Sequence, residues 1–122
     1  MSVIEPTEIE MVAGTHRALG MLSGRWAVDV LYLLAAGRRR YSEVYYEVGE
    51  VSKKALTSTL RRLERDGLVA RHVTSHSPLR VEYSLTKLGW SLTEPLMALY
   101  EWSAQHLDAE APAEPERRLM AA

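Results

Sequence analysis

One stretch of this sequence concentrates the side chains able to do chemistry. In SKKALTSTLRRLERDGL, Lys53, Lys54, Thr57, Ser58, Arg61, Arg62 and Arg65 are cations and hydroxyls at helical spacing. At about 100° per residue they fill one half of a helix expected over 53–66, while Leu56, Leu60 and Leu63 fall within about 60° of each other on the other half. Such a face is a donor surface suited to a polyanion. Lys54, Thr57, Ser58 and Arg61, near the front of the helix, suit base edges in a major groove about 12 Å wide, whereas Ser52, Arg62 and Arg65 suit phosphate, and Lys53 adds positive charge. A solvated amphipathic helix would present the same face, so the neighbouring elements have to decide.

Other chemistries are poorly supplied. Hydroxyls are plentiful, yet there is no Gly-rich phosphate loop, no H-E-x-x-H and no G-x-S-x-G, so no catalytic residue, enzyme activity or cofactor is expected. His72 and His76 are four apart but fall on a strand and its loop, which is not the helical pair that holds zinc, and no metal site is expected. The chain has no cysteine, hence no disulfide, thiolate metal site or thiol sensor.

The 122 residues, 47% hydrophobic and 25% charged, fit one globular domain with a modest core. The longest apolar run, Val30 to Ala36, falls far short of the roughly 20 residues that span a bilayer. The opening MSVIEPTEIE is acidic where a signal peptide would be basic, so a cytoplasmic protein is expected. A formal net charge of −1 conceals a strong asymmetry. Residues 1–37 carry −2 and residues 91–122 carry −4, whereas residues 38–90 hold eleven Lys/Arg against six Asp/Glu and carry +5. A polyanion partner is therefore expected at the middle of the chain.

The elements that must position this face follow from periodicity. Residues 7–22 are expected as a helix capped by Thr7 and weakened by Gly14 and Gly20. RWAVDVLYLLAAG reads as a core helix closed by Gly37, with Asp29 as its outward charge. A short helix is expected over 42–48, capped by Ser42 and ended by Gly49. The basic helix starts at a Ser52 N-cap and stops at Gly67, a left-handed C′ residue. Residues 69–74 and 80–86 alternate as two strands joined by a loop at 75–79. From Thr86 a single long helix, with its apolar stripe at Leu88, Leu92, Leu96, Leu99, Trp102 and either His106 or Leu107, is expected to kink at Pro95.

A short helix and a basic helix joined by a tight glycine-containing turn make a helix-turn-helix, and the hairpin behind them makes a wing. Arg80 and His76 on that hairpin are placed to reach the adjacent DNA backbone or minor groove. Arg38 to Arg40 are equally consistent with phosphate anchors and with cations complementing the end of the preceding helix. The fold class expected is mainly α (α+β), a winged helix-turn-helix with terminal helices that dimerise. A winged helix that binds protein instead of DNA is the alternative, and the retained basic face argues against it.

The stretches LGMLSGRWAVDVLYLLAAGRRRYSEV, VSKKALTSTLRRLERDGLVAR and PLRVEYSLTKLGWSL, followed by Trp102, resemble the HxlR family of bacterial winged-helix, MarR-like transcriptional regulators. The resemblance spans roughly residues 15–107. It rests most on Gly24-Arg25-Trp26, on Asp66-Gly67-Leu68 at the helix exit, and on Arg80-Val81-Glu82-Tyr83 with Leu85-Thr86 and Gly89. It implies a homodimer, built through the N- and C-terminal helices, that binds a palindromic operator in double-stranded DNA and represses or activates nearby genes. By that analogy helix 53–66 is the recognition helix and 75–80 the wing tip. The domain would be 15–107, preceded by an arm and helix start at 1–14 and followed by a flexible tail at 108–122.

Leu19, Leu22, Leu92, Leu96, Leu99 and Trp102 are the expected dimer contacts, Trp102 foremost, since it lies on a long apolar stripe with no obvious cover within the chain. Many such regulators carry a cysteine near the start and this chain does not, which leaves a reversibly bound small-molecule effector or control by abundance. Tyr45, Tyr46 and Trp90, bulkier than expected at their places, are the candidate effector pocket.

Overall fold

In a computed structural model, residues 5–107 are described. The expected tail at 108–122 and the first residues of the expected arm, 1–4, lie outside them. The core is organised around α2 (Ala27–Ala35), which buries Ala27, Val30, Leu31, Leu33 and Leu34. A short helix so apolar on most sides can only sit inside, with other elements packed around it. Those elements are α3 (Tyr41–Val48), contributing Val44 and Val48, and α4 (Lys53–Arg65), contributing Leu56, Leu60 and Leu63. Burying each such Leu or Val contributes about 1.5–3 kcal/mol. Asp29, expected to point outward, is buried at 7% exposure. It stands in the first turn of α2, where the free N–H groups of the helix start favour a carboxylate.

A three-stranded antiparallel sheet closes one side, in the order β1 (Arg39–Arg40), β3 (Leu79–Leu85), β2 (Val69–His76). Tyr83 and Leu85 of β3 and Val69 of β2 face the core. The hairpin is longer and its turn tighter than the sequence suggests: His76 pairs with Leu79, leaving Ser77 and a cis Pro78 as the turn, and a register shift falls between Val73 and Ser75. His76 therefore ends a strand instead of lying in a loop, and Arg80 stands near the tip. The strand β1 has no sequence signal, since two arginines carry no alternation; it forms because the end of α2 delivers Arg39 opposite Tyr83 and Arg40 opposite Glu82.

Two helix boundaries also differ from expectation. The third helix starts at Tyr41, with the Glu43 carboxylate accepting from the Arg40 N–H at 3.0 Å, so Ser42 lies inside it and is not the cap. The long C-terminal helix is two, α5 (Lys87–Ser91) and α6 (Thr93–His106), broken at Leu92. Pro95 is the physical reason: its ring excludes the carbonyl four residues back, that of Ser91, from a helical position. The break thus falls ahead of the proline, which occupies the first turn of α6, where its missing N–H costs nothing.

The first helix, α1 (Glu8–Met21), is capped by the reciprocal Thr7 and Glu10 bonds, 3.1 and 3.3 Å. It buries no residue of its own, and Ile9, Met11, Val12 and Leu19 are all more than half exposed.

Candidate nucleic-acid interface

The basic face of α4 is built from its turn upward. Gly49, at φ +94°, ends α3 and lets the chain reverse, the Val51 N–H donates to the Gly49 carbonyl at 2.7 Å, and the buried Val51 side chain pins the turn to the core. Ser52 then caps α4, its hydroxyl accepting from the Ala55 N–H at 3.0 Å. At the far end, Gly67 at φ +79° permits the Leu68 N–H to reach back to Leu63 and the Gly67 N–H to Glu64. This pair of bonds seals the helix and turns the chain into the wing.

Because the three leucines of α4 are buried, the opposite face must leave the protein. Lys53, Lys54, Ser58, Arg61 and Arg65 are exposed, with Ser52 beside them. Lys53, Lys54, Thr57, Ser58, Arg61, Arg62 and Arg65 line one shallow depression along the helix. Its cations are differently engaged. Arg65 is 74% exposed, with only Asp66 at 3.6 Å, whereas Lys53 holds its ammonium 5.8 Å from the Tyr45 ring. Arg62 is only partly exposed, and its guanidinium donates to the Ser23 carbonyl between α1 and α2.

Between α4 and the wing lies a second cleft, lined by Tyr41, Thr57, Leu60, Arg61, Glu64, Arg71, Leu79, Val81 and Tyr83. It brings Arg61 of the helix and Arg71 of β2 to one opening. Arg71 is absent from the residues picked out by sequence, although the period of two puts it on the same strand face as Val69 and Val73. Burial raises the Tyr83 phenol above its ordinary pKa of 10.0, and a hydrogen bond from Arg71 works against that shift. The tyrosine Tyr41, likewise not singled out by sequence, bonds through its hydroxyl to Thr57 Oγ1 at 3.1 Å and to the Lys53 carbonyl at 3.3 Å.

Around this surface, Arg38 pairs with Glu82 at 2.6 Å and Arg39 with Glu47 at 3.7 Å, bonds that fasten β1 and α3 to the sheet. His72 shares a hydrogen bond with Ser84 across the hairpin at 2.8 Å. His76 and Arg80 are both exposed at the wing tip. Tyr45 and Tyr46 meet edge to face at 5.6 Å, while Trp90 stands half exposed on α5, and none of the three lines either cleft. Of the expected dimer contacts, Leu96 belongs to the core of its own protomer, Leu22 and Leu92 are partly buried against that core, and Leu19, Leu99 and Trp102 remain about half exposed.

Two helices across a tight turn, the second basic and outward, followed by a sheet-borne hairpin, define a winged helix-turn-helix protein. Residues 21–111 match the model of the HxlR-like helix-turn-helix family, and the chain belongs to that family. It is 33% identical over 99 residues to YvaP, an HTH-type transcriptional regulator of Bacillus subtilis, covering 81% of this chain and 92% of that one. Among solved structures, it resembles a MarR-family transcriptional regulator from Enterococcus faecalis, with a TM-score of 0.75, 28% identity and coverage of 86% and 93%. The reduced form of the B. subtilis transcriptional regulator YodB is similar too, with a TM-score of 0.72, 27% identity and coverage of 79% and 94%. The chain is thus a transcriptional regulator of the winged helix-turn-helix type. Among the described residues, no helix is long and apolar enough to cross a membrane.

Proposed function

We propose that two copies of this chain, related by a two-fold axis, bind a palindromic operator and alter transcription of adjacent genes. Each copy places α4 in a major groove, the two helices about 34 Å apart on one face of the duplex. The observation that carries this reading is the outward face of α4, where Lys53, Lys54, Ser58, Arg61 and Arg65 all leave the core together. In this arrangement Lys54, Thr57, Ser58 and Arg61 meet base edges, while Ser52, Lys53 and Arg65 meet phosphates. Arg71 and Arg80 extend the positive surface along the wing, with exposed His76 beside them as a hydrogen-bonding group.

The exposed apolar side chains of α1 and α6, among them Leu19, Leu99 and Trp102, supply the contact between copies. An effector seated against Tyr45, Tyr46 or Trp90 acts in this reading through α5 and α6, changing the distance between the two α4 helices. With no cysteine in the chain, such an effector binds reversibly and not by thiol chemistry.

The test is a fluorescence-anisotropy titration of the protein with duplex from its own upstream region and with scrambled duplex, at two salt concentrations. Tight binding that depends on sequence and weakens steeply with salt is the expected result. Binding indifferent to sequence overturns the operator reading and favours a winged helix that docks on protein.

A further inference from the structure

We propose that Tyr41 fixes the proton of the Thr57 hydroxyl, so that Thr57 faces the groove as an acceptor only and selects a base bearing an exocyclic amine. The inference rests on the reading of α4 as the helix that meets base edges. Tyr41 opens α3 and Thr57 lies one turn into α4, so the bond spans the turn of the helix-turn-helix. The Tyr41 hydroxyl stands 3.1 Å from Thr57 Oγ1 and 3.3 Å from the Lys53 carbonyl oxygen. Both side chains are only partly covered and share the cleft with Arg61, and Thr57 also belongs to the outward depression of α4.

Counting protons assigns the direction. A phenol has one proton to give, and a carbonyl can only accept. If Tyr41 donated to Thr57, its approach to the Lys53 carbonyl would carry no hydrogen. Both contacts are satisfied together only when Tyr41 donates to Lys53 and Thr57 donates to Tyr41, an arrangement in which each bond polarises the next. The threonine proton is then spent inside the protein. What remains toward DNA is a pair of lone pairs and a methyl group. In the major groove, adenine N6 and cytosine N4 are donors, whereas guanine O6 and N7 and thymine O4 are acceptors. Thr57 thus favours adenine or cytosine at the position it meets, and Tyr41 is a positioning residue for that choice.

Selection of operators from a randomised duplex library tests this with the wild type, Thr57→Val, Tyr41→Phe and the double variant. Thr57→Val marks the position and reduces the preference for adenine or cytosine there by roughly 3- to 10-fold, the effect of one neutral hydrogen bond. Tyr41→Phe keeps the ring and releases the threonine proton, so the same position broadens to accept guanine or thymine. In the Thr57→Val background, Tyr41→Phe changes nothing further at that position.

The proposal is overturned if the marked position prefers guanine or thymine in the wild type. It is equally overturned if Thr57→Val marks no position, if Tyr41→Phe leaves the preference intact, or if it acts equally without Thr57. Should Tyr41→Phe not fold, Thr57→Ser decides: it keeps the amine preference that Thr57→Val loses, and its loss of that preference refutes the idea. A wild type that selects no sequence at all instead defeats the reading of α4, and the proposal with it.

Discussion

The guanidinium of Arg62, on α4, donates from Nη2 to the backbone carbonyl oxygen of Ser23, in the connection between α1 and α2. The neighbouring Gly24 has φ +92°, and a Cβ built there would lie 2.9 Å from the same nitrogen. Arg62 therefore fastens α4 to the segment that leads out of α1. From sequence alone it belongs to the phosphate-binding set; its placement gives it a structural bond instead. Arg62→Ala is expected to lower stability by about 1.5–3 kcal/mol, the range for a hydrogen bond to a charged group, measurable by urea denaturation.

Arg65 is the contrasting case. It is well exposed and only loosely paired with Asp66, so its charge is free for phosphate. Arg65→Ala should leave stability within about 0.5 kcal/mol of the wild type. The plot of log affinity for DNA against log salt should flatten by about 0.9 for each phosphate that is no longer neutralised, with base preference unchanged. An unchanged slope would place Arg65 away from the backbone.

Glycines separate packing from propensity. A Cβ on Gly89 would collide with the Leu68 backbone carbonyl, which cannot move aside, whereas Gly14 and Gly20 have nothing within 4 Å. Gly89→Ala should cost about 1–3 kcal/mol through overpacking. Gly14→Ala, in the interior of α1, should stabilise that helix by about 0.5–1 kcal/mol. Thermal melts monitored by circular dichroism distinguish the two signs.

The alkaline limb of stability has a named contributor. Burial raises the Tyr83 pKa above 10.0, chiefly because the phenolate would be desolvated. The folded state therefore holds its proton to higher pH than the unfolded chain. The contribution is fully present below pH 10 and is lost as pH rises from there through the folded-state pKa. Tyr83→Phe should flatten the decline in melting temperature above pH 10 and leave its shape below that pH unaltered.

Trp102 is about half exposed on α6 and stacks on His106 with ring centroids 5.5 Å apart. In a dimer joined through α1 and α6, Trp102→Ala should weaken association by about 2 kcal/mol or more, the scale of an interfacial hot spot. Sedimentation across a dilution series reads this directly, and operator binding should fall in parallel.

Much of the fold was legible because its signals are local. Ser52 and Gly67 bound α4 as expected, and Leu56, Leu60 and Leu63 are the face it buries. What the sequence hid depends on contacts distant along the chain. Nothing in Arg39-Arg40 announces a strand, since its partner lies more than 40 residues away at Glu82 and Tyr83. The burial of Asp29 is likewise decided by what packs on α2. Pro95 correctly signalled an interruption, but the clash it causes acts four residues upstream, so the break appears at Leu92. At the candidate site the residue types along α4 were legible, while the difference between Arg62, bonded to the Ser23 carbonyl, and Arg65, well exposed, was not. Tyr41 and Arg71 emerged only once the turn and the hairpin brought them beside Thr57 and Arg61.

A helix of 14 residues that fully buries none of its side chains and lays only Met21 partly against its own core draws little stability from the protomer, and isolated helices of that length are marginal in water. The order of α1 is therefore tied to whatever covers it. If a second copy does so, folding of α1 and assembly are a single equilibrium, and dilution melts the helix as it separates the subunits. Through Arg62 and Ser23 the loss would be felt at α4. Such a regulator needs no ligand to sense its own supply: its quantity in the cell sets how much of it is competent to act.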